Sequence, residues 1–285
     1  MSTSPGALIH WATQTGTLST PEAWWILEHR TGLSKIQLLQ SLQTPLQPTA
    51  VRAFKTAIRR RQTGYPLAYI LKEAPFRERL YAVQPGVLIP RADTEIVVET
   101  AIAKINEMGW TTQSFSCIEL GYGTGIISLE LALAFPTAAV WGWDISVKAH
   151  QTALENKSRH QVSNATFFKG DFFKAQTLWE PLCEGPTLFV SNPPYIAPGD
   201  PALAQDVAQF EPQKALYGGK DGLLFYKKSL EVLATFQTPW MAVFEIGFAQ
   251  KAPLIQLLGH YPHFEHGFVQ DNQGLDRVLW VDRRP

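Results

Sequence analysis

The chain has 285 residues, 45% of them hydrophobic and 18% charged, a mix that excludes a mainly disordered polymer and suits one large domain or two modest ones. Lys and Arg number 25, as do Asp and Glu, so no overall field draws the chain to nucleic acid or membrane, although residues 1–80 carry a net +6 and the remainder −6. No apolar run reaches the roughly 18 residues of a spanning helix, and the N-terminus lacks the basic-then-apolar pattern of a signal peptide. Cys117 and Cys183 stand among apolar residues without CxxC spacing, and are expected to be buried, reduced thiols in a cytoplasmic protein.

In chain order, the first 62 or so residues read as helices. Ser19-Thr20-Pro21-Glu22 starts one, with Thr20 as the expected cap and Gly32 as its end. A second fits Ser34 to Leu42. Pro48-Thr49 opens a third, in which Val51, Phe54 and Ile58 recur at helical spacing before Arg59-Arg60-Arg61. That basic end is either a solvated helix terminus or a partner-binding surface. Gly64-Tyr65-Pro66 breaks the pattern. Phe76–Leu80 and Tyr81–Val83 are predicted strands of a hairpin, and Gln84-Pro85-Gly86 is a turn. Asp93-Thr94-Glu95 is expected to cap a helix running through Ile105.

From residue 116 strands and helices alternate. Predicted strands cover 116–120, 138–143, 165–170, 187–190 and 240–246. Predicted helices cover 126–135, 147–157 and 222–234, with another holding 254–258, and 264–269 and 277–281 form a closing hairpin. The pattern predicts an α/β fold, a mostly parallel sheet with helices on both faces and ligands at the carboxyl ends of the strands. The division expected is a helical N-terminal substrate-recognition domain (1–73), a β-hairpin linker (74–90) and a catalytic domain (91–285).

Gly121-Tyr122-Gly123-Thr124-Gly125 follows a strand and opens a helix. Its GxGxG spacing is not the dinucleotide fingerprint, and no lysine follows it as in a P-loop. Alone, such a loop is often only a turn. Acidic residues at successive strand ends strengthen it. Asp144 can accept hydrogen bonds from ribose hydroxyls, or merely cap the next helix. Asp171-Phe172 can take an adenine amine and stack on its face. Glu119 can hold the loop or a cationic amino group. Adenine, ribose and a cationic sulfonium without phosphates describe S-adenosyl-L-methionine, which leaves S-adenosyl-L-homocysteine as product. Asn192-Pro193-Pro194-Tyr195 is the most specific motif: the prolines fix a rigid turn without N–H groups, Asn192 offers a side-chain carbonyl, and Tyr195 can lie against a planar NH2 group. An amide nitrogen is a weak nucleophile, so orientation and facing carbonyl dipoles are expected to carry the catalysis.

With these residues the sequence resembles the HemK/PrmC protein-glutamine methyltransferases that act on peptide chain release factors. The resemblance runs through residues 64–282 and more loosely through the N-terminal helices. Gly64 to Ile70, Leu88-Ile89-Pro90-Arg91-Ala92-Asp93-Thr94-Glu95 and Asn192 to Tyr195 carry it. So do Phe210-Glu211-Pro212, Ala215-Leu216, Gly218-Gly219, Asp221-Gly222-Leu223 and the closing Gly274 to Val278. It implies a class I AdoMet-dependent methyltransferase, Rossmann-like with a mostly parallel seven-stranded sheet, that methylates the glutamine of a Gly-Gly-Gln motif in a release factor. It also implies that Gly121 to Gly125, Asp144, Phe172 and Asn192 line the AdoMet site and that Asn192 to Tyr195 hold the glutamine amide. Three positions depart from the family pattern. Ala92 replaces a proline and is expected to loosen its loop, Glu119 replaces an Asp, and Tyr122, in place of a small polar residue, either crowds the methionine end or points away.

Two other readings stand beside this one. An amino-methyltransferase acting on a base in DNA or RNA would use the same Asn-Pro-Pro-Tyr chemistry on a flipped base, but it needs phosphate contacts that the neutral chain and acidic catalytic half do not favour. A non-catalytic scaffold conflicts with the intact motif. His260, His263 and His266 are expected to be surface or hairpin residues, with no metal bound. The expected partner is a release factor, with neither membrane nor nucleic acid involved, and the chain is expected to act as a monomer.

Overall fold

The computed structural model describes residues 3–283 apart from Thr15 and Glu184. The chain divides into two compact units, residues 1–73 and 74–285.

The first unit is helical: α1 (Pro5–Thr13), α2 (Thr20–Thr31), α3 (Lys35–Gln40), α4 (Pro48–Gln62) and α5 (Leu67–Leu71). Leu8, Ile26, Leu27, Leu38, Phe54 and Ile58 form its core. The cap of α2 is Ser19 and not Thr20. Its hydroxyl accepts the Glu22 N–H while the Glu22 carboxylate accepts the Ser19 N–H at 3.1 Å, a reciprocal box that leaves Thr20 as the first helical residue. Gly32 ends α2 in the left-handed conformation, as expected. Of the three arginines that end α4, Arg61 pairs with Glu22 at 2.9 Å and Arg60 lies over the Tyr65 ring.

A hairpin follows, β1 (Glu73–Phe76) and β2 (Arg79–Ala82), and then α6 (Thr94–Glu107). The hairpin turns at Arg77-Glu78, inside the stretch 76–80 that the sequence predicts as one strand. Arg77 takes φ +52 there, rare for a non-glycine. Its N–H donates to Glu95 at 2.7 Å and its guanidinium reaches Glu130, contacts that composition alone does not announce. Phe76 and Tyr81 are buried in the core of the second unit. Asp93 does not cap α6; its carboxylate pairs with Arg277 at 3.2 Å.

Strands and helices then alternate: β3 (Ser116–Leu120), α7 (Ile126–Ala134), β4 (Ala139–Asp144), α8 (Val147–Arg159), β5 (Ala165–Lys169), α9 (Gln176–Trp179), β6 (Thr187–Ser191), α10 (Gln205–Phe210), α11 (Gln213–Leu216), α12 (Leu224–Thr235), β7 (Trp240–Glu245), α13 (Lys251–Leu258), β8 (Glu265–Gln270) and β9 (Asp276–Arg283). The seven strands form one sheet in the order β5-β4-β3-β6-β7-β9-β8. The first five are parallel, and β9 runs antiparallel to both β7 and β8. β3 and β6 are buried at every residue, as strands covered on both faces must be. One core packs Val97, Val98, Leu129 and Val140 on one side, and another packs Phe189, Trp179, Tyr226 and Trp240 on the other. Chain order reverses between β3 and β6, and the crevice such a reversal leaves is where ligands bind in sheets of this type.

The hairpin and the glycine loop share one tie. Asn156, fully buried on α8, accepts the Ala82 N–H at 2.6 Å and donates to the carbonyls of Ala82 and Thr124 at 3.0 Å each. Asn156→Ala leaves three backbone groups unsatisfied in the interior and is expected to cost about 2–4 kcal/mol, measurable as a lower denaturation midpoint with an unchanged m-value.

Candidate active site

A cavity of about 580 Å³ opens at the carboxyl ends of β3, β4, β5 and β6. The glycine loop forms one wall. Gly125 closes it with φ +81, at a point where a Cβ would come within 3.0–3.1 Å of Phe167 and Ala153, so the residue that starts α7 can be little else. Glu119, Gly121, Tyr122, Gly123 and Thr124 line the cavity, while Gly125 does not. Glu119 is buried and holds α7, accepting the Ser128 N–H at 2.9 Å and a short bond from the Ser128 hydroxyl, both on Oε2. Burial, helped by the charge of Asp144 and opposed by the Ser128 bonds, pushes its carboxyl up to about 8.

Asp144 also lines the cavity. Its Oδ2 accepts the Gly123 N–H at 2.9 Å and its Oδ1 accepts the Ser146 N–H at 2.8 Å. Each oxygen keeps a lone pair for a hydroxyl donor. Burial raises its pKa despite those bonds. Asp144 thus holds the glycine loop and the residue before α8, while the cap of α8 is Ser146, whose hydroxyl accepts the Ala149 N–H. Ile145 beside it is 56% exposed and lines the same cavity. This flat apolar contact was not read from the sequence, because one exposed isoleucine carries no pattern. Asp171 reaches the cavity as well, with Oδ1 accepting the Phe173 N–H at 3.1 Å. Phe172 touches the cavity, but its ring is buried, stacked on Trp179 at 4.6 Å and 10° and edge-on to Phe189. Trp179 takes one face of this ring, and little of Phe172 is exposed to the cavity. Phe173 and Phe225, which line the cavity edge-to-face at 5.2 Å, are the aromatic rings on that side.

The opposite wall is the turn after β6. Ser191 donates to the Leu120 carbonyl at 2.5 Å and fastens β6 to β3 at the reversal. Asn192 and Pro194 line the cavity; Pro193 and Tyr195 do not. The Asn192 Nδ2 donates to the Thr94 hydroxyl at 3.0 Å, and Thr94 in turn donates to Glu245 Oε2 at 2.5 Å. The Tyr195 hydroxyl donates to the other oxygen of Glu245 at 3.2 Å. This bond ties the tip of the Tyr195 side chain to the end of β7. Burial raises the Tyr195 hydroxyl well above its ordinary pKa. Behind the turn, Gln250 donates to the carbonyls of Tyr195 and Gly222 at 3.1 and 3.2 Å and accepts the Gly247 N–H at 2.9 Å. Ile196 and Gly218 exchange backbone bonds with Leu216 and Ile196 at 2.9 Å. The segment 215–223 is therefore a splint for the turn. Across the cavity, Glu211 accepts the Ile89 N–H at 3.0 Å and pairs with Arg91.

Residues 17–71 match the PrmC N-terminal domain family and residues 112–184 a methyltransferase domain family. The release factor glutamine methyltransferase of Geobacter sulfurreducens is 34% identical over 262 residues, covering 90% of this chain and 87% of its own. That of Xylella fastidiosa is 33% identical over 99% of this chain and 98% of its own. The chain belongs to the release factor glutamine methyltransferase family. Among solved structures, the hMettl16 catalytic domain in complex with a MAT2A 3'UTR hairpin superposes with a TM-score of 0.54 over 83% of this chain and 82% of its own. At 13% identity this likeness concerns the class I methyltransferase fold alone.

Within this release factor glutamine methyltransferase family member, the three departures have physical accounts. Ala92 sits in an exposed turn, and the loop around it is held by Arg91 to Glu211, Asp93 to Arg277 and Thr94 to Glu245. Glu119 uses its extra methylene to span to Ser128. Tyr122 points away from the loop: its ring is buried against Phe167 at 4.8 Å and its hydroxyl meets His150 Nδ1 at 3.0 Å. The space it fills is the one left by Gly142, whose added Cβ would lie 2.8 Å from the Tyr122 ring. Gly222 has φ +72, and a Cβ there would stand 2.2 Å from the Tyr195 carbonyl oxygen. Gly222→Ala is expected to destabilise the protein by about 1–3 kcal/mol, read as a lower thermal midpoint.

Proposed function

We propose that the chain transfers a methyl group from S-adenosyl-L-methionine to the side-chain amide nitrogen of the glutamine in the Gly-Gly-Gln motif of peptide chain release factors. The observation that carries the reading is the state of Asn192. It lines the cavity with one Nδ2 hydrogen given to Thr94, an orientation that leaves Oδ1, without a donor from the described residues, as the acceptor a substrate NH2 needs. The cavity suits the donor too. Asp144 keeps acceptor capacity for ribose hydroxyls, and Ile145 gives an apolar surface for a base. The glycine loop has no lysine for phosphates.

Bound there, S-adenosyl-L-methionine supplies an electrophilic methyl carbon on a positively charged sulfur. The protein's part is orientation. Asn192 Oδ1, which has no hydrogen-bond donor from the described residues, and a backbone carbonyl of the turn accept the two hydrogens of the glutamine amide. The nitrogen lone pair is then aimed at the carbon under attack. Alignment of this kind supplies roughly 7–11 kcal/mol in favourable intramolecular reactions. The same carbonyl dipoles face the positive charge that develops on nitrogen and stabilise it without reorganising. The alkylated amide loses its extra proton readily, so no strong general base is required. Base methylation, the other chemistry an Asn-Pro-Pro-Tyr turn serves, has less support, because relatives that match along nearly the whole chain are named for release factors.

The test is mass spectrometry of a release factor incubated with the enzyme and S-adenosyl-L-methionine. One added methyl group is expected on the Gly-Gly-Gln glutamine. Asn192→Ala is expected to lower kcat/KM by roughly 10²–10³-fold, the scale of losing one preorganised polar partner. An unmodified release factor with the wild-type enzyme rejects the reading.

A further inference from the structure

The two ends of an asparagine amide are nearly the same size, so packing does not decide which faces the cavity; only hydrogen bonding does. At Asn192 the decision lies outside the motif. Thr94 Oγ1 is 3.0 Å from Asn192 Nδ2 and 2.5 Å from Glu245 Oε2. Thr94 is 1% exposed and Glu245 2% exposed, so water does not take either place. A threonine hydroxyl has one proton. An ionised carboxylate accepts only, so the proton goes to Glu245 and the hydroxyl oxygen is left to accept from Asn192. Only the NH2 end fits, and Oδ1 is left for the cavity.

We propose that Thr94 and Glu245 are positioning residues that set the polarity of the Asn192 amide, with the ionised carboxylate as the origin of the direction. This rests on the reading of Asn192 as the acceptor of a substrate NH2. The three residues come from the first turn of α6, the end of β7 and the turn after β6, and no local motif joins them. Tyr195 donates to the second oxygen of Glu245 at 3.2 Å, so the carboxylate meets donors at both ends.

The device is reversible with pH. Glu245 is faced by the Thr94 and Tyr195 hydroxyls, by the negative charge of Asp93 ahead of α6, and by the positive charge of Arg277 on β9, while the Tyr226 hydroxyl from α12 donates to its backbone carbonyl at 2.8 Å. Burial, helped by Asp93 and opposed by the hydroxyls and Arg277, pushes its carboxyl up to about 7. When solvent supplies a proton to Oε2, the acid donates to Thr94 Oγ1. The Thr94 proton then turns to Asn192, which accepts it only by rotating Oδ1 inward. The cavity then receives an NH2 group where the substrate's own NH2 must bind, and two donors meet.

The expected result is an acid limb: kcat/KM constant above pH 8 and falling as pH drops through about 7, approaching tenfold per unit, with S-adenosyl-L-methionine affinity unchanged across the range. Thr94→Val keeps the shape and breaks the relay. It is expected to lower kcat/KM at pH 8 at least tenfold and to abolish the limb, whereas Thr94→Ser restores most of the rate together with the limb. Independently of activity, the Asn192 side-chain ¹⁵N–H₂ resonances of the unliganded wild-type protein are expected to shift with a midpoint near pH 7 and to stay constant in Thr94→Val. A wild-type resonance that does not move between pH 6 and 8, or a Thr94→Val enzyme with wild-type kcat/KM, overturns the relay. A wild-type enzyme inactive toward release factors at every pH rejects the functional reading instead, and the resonance titration then decides the relay alone.

Discussion

A carboxylate withdrawn from water holds whatever donors reach it, and the walls of the cavity are held in this way. Glu119 binds the first turn of α7, Asp144 the glycine loop, Glu211 the segment around Arg91, and Glu245 both Thr94 and Tyr195. Each is an acid on or beside a strand end or loop, with partners that range from nine positions away for Glu119 to 151 for Glu245. Hydrogen bonds to these buried acids, together with apolar anchors such as Tyr122 and Leu216, give the loops at the carboxyl edge of the sheet their shape. Removing one such acid would release a loop as well as change the local charge.

The segments that mark the family in sequence acquire a mechanical meaning here. Leu88 to Glu95 and Phe210 to Pro212 are far apart in the chain but meet through Arg91, Ile89 and Glu211. Residues 215–223 brace the back of the Asn-Pro-Pro-Tyr turn through backbone bonds, with Gln250 closing the other side. A turn without N–H groups at two positions has little capacity to hold itself. Its rigidity comes from the neighbours that grip its carbonyls and its flanks.

Much of this was legible beforehand. The alternation from Ser116 onward, the glycine loop and Asn192 followed from local spacing, because a parallel sheet writes its strands as apolar runs and its ligand edge as glycines and acids. What stayed hidden depended on distance. Thr94 and Glu245 are 151 positions apart, and neither differs in type from an ordinary helix-start threonine or strand-end acid. Phe172 shows the converse. Its position beside Asp171 is local, but the direction of its ring is decided by Trp179 and Phe189. Asp93 likewise has the sequence of a cap, and Arg277 takes it away. The hairpin turn was misplaced because its left-handed residue is an arginine, supported by Glu95 and Glu130 in place of the usual glycine.

Tyr122 and Gly142 occupy one volume between them. A lineage that replaced the tyrosine by a small residue would leave an aromatic-sized hole beneath β4, and one that gave position 142 a side chain would have to evict the ring first. Neither site can therefore drift alone. In homologues the pair should change in concert, an inherited coupling that reflects the thickness of the sheet layer and not the chemistry performed above it.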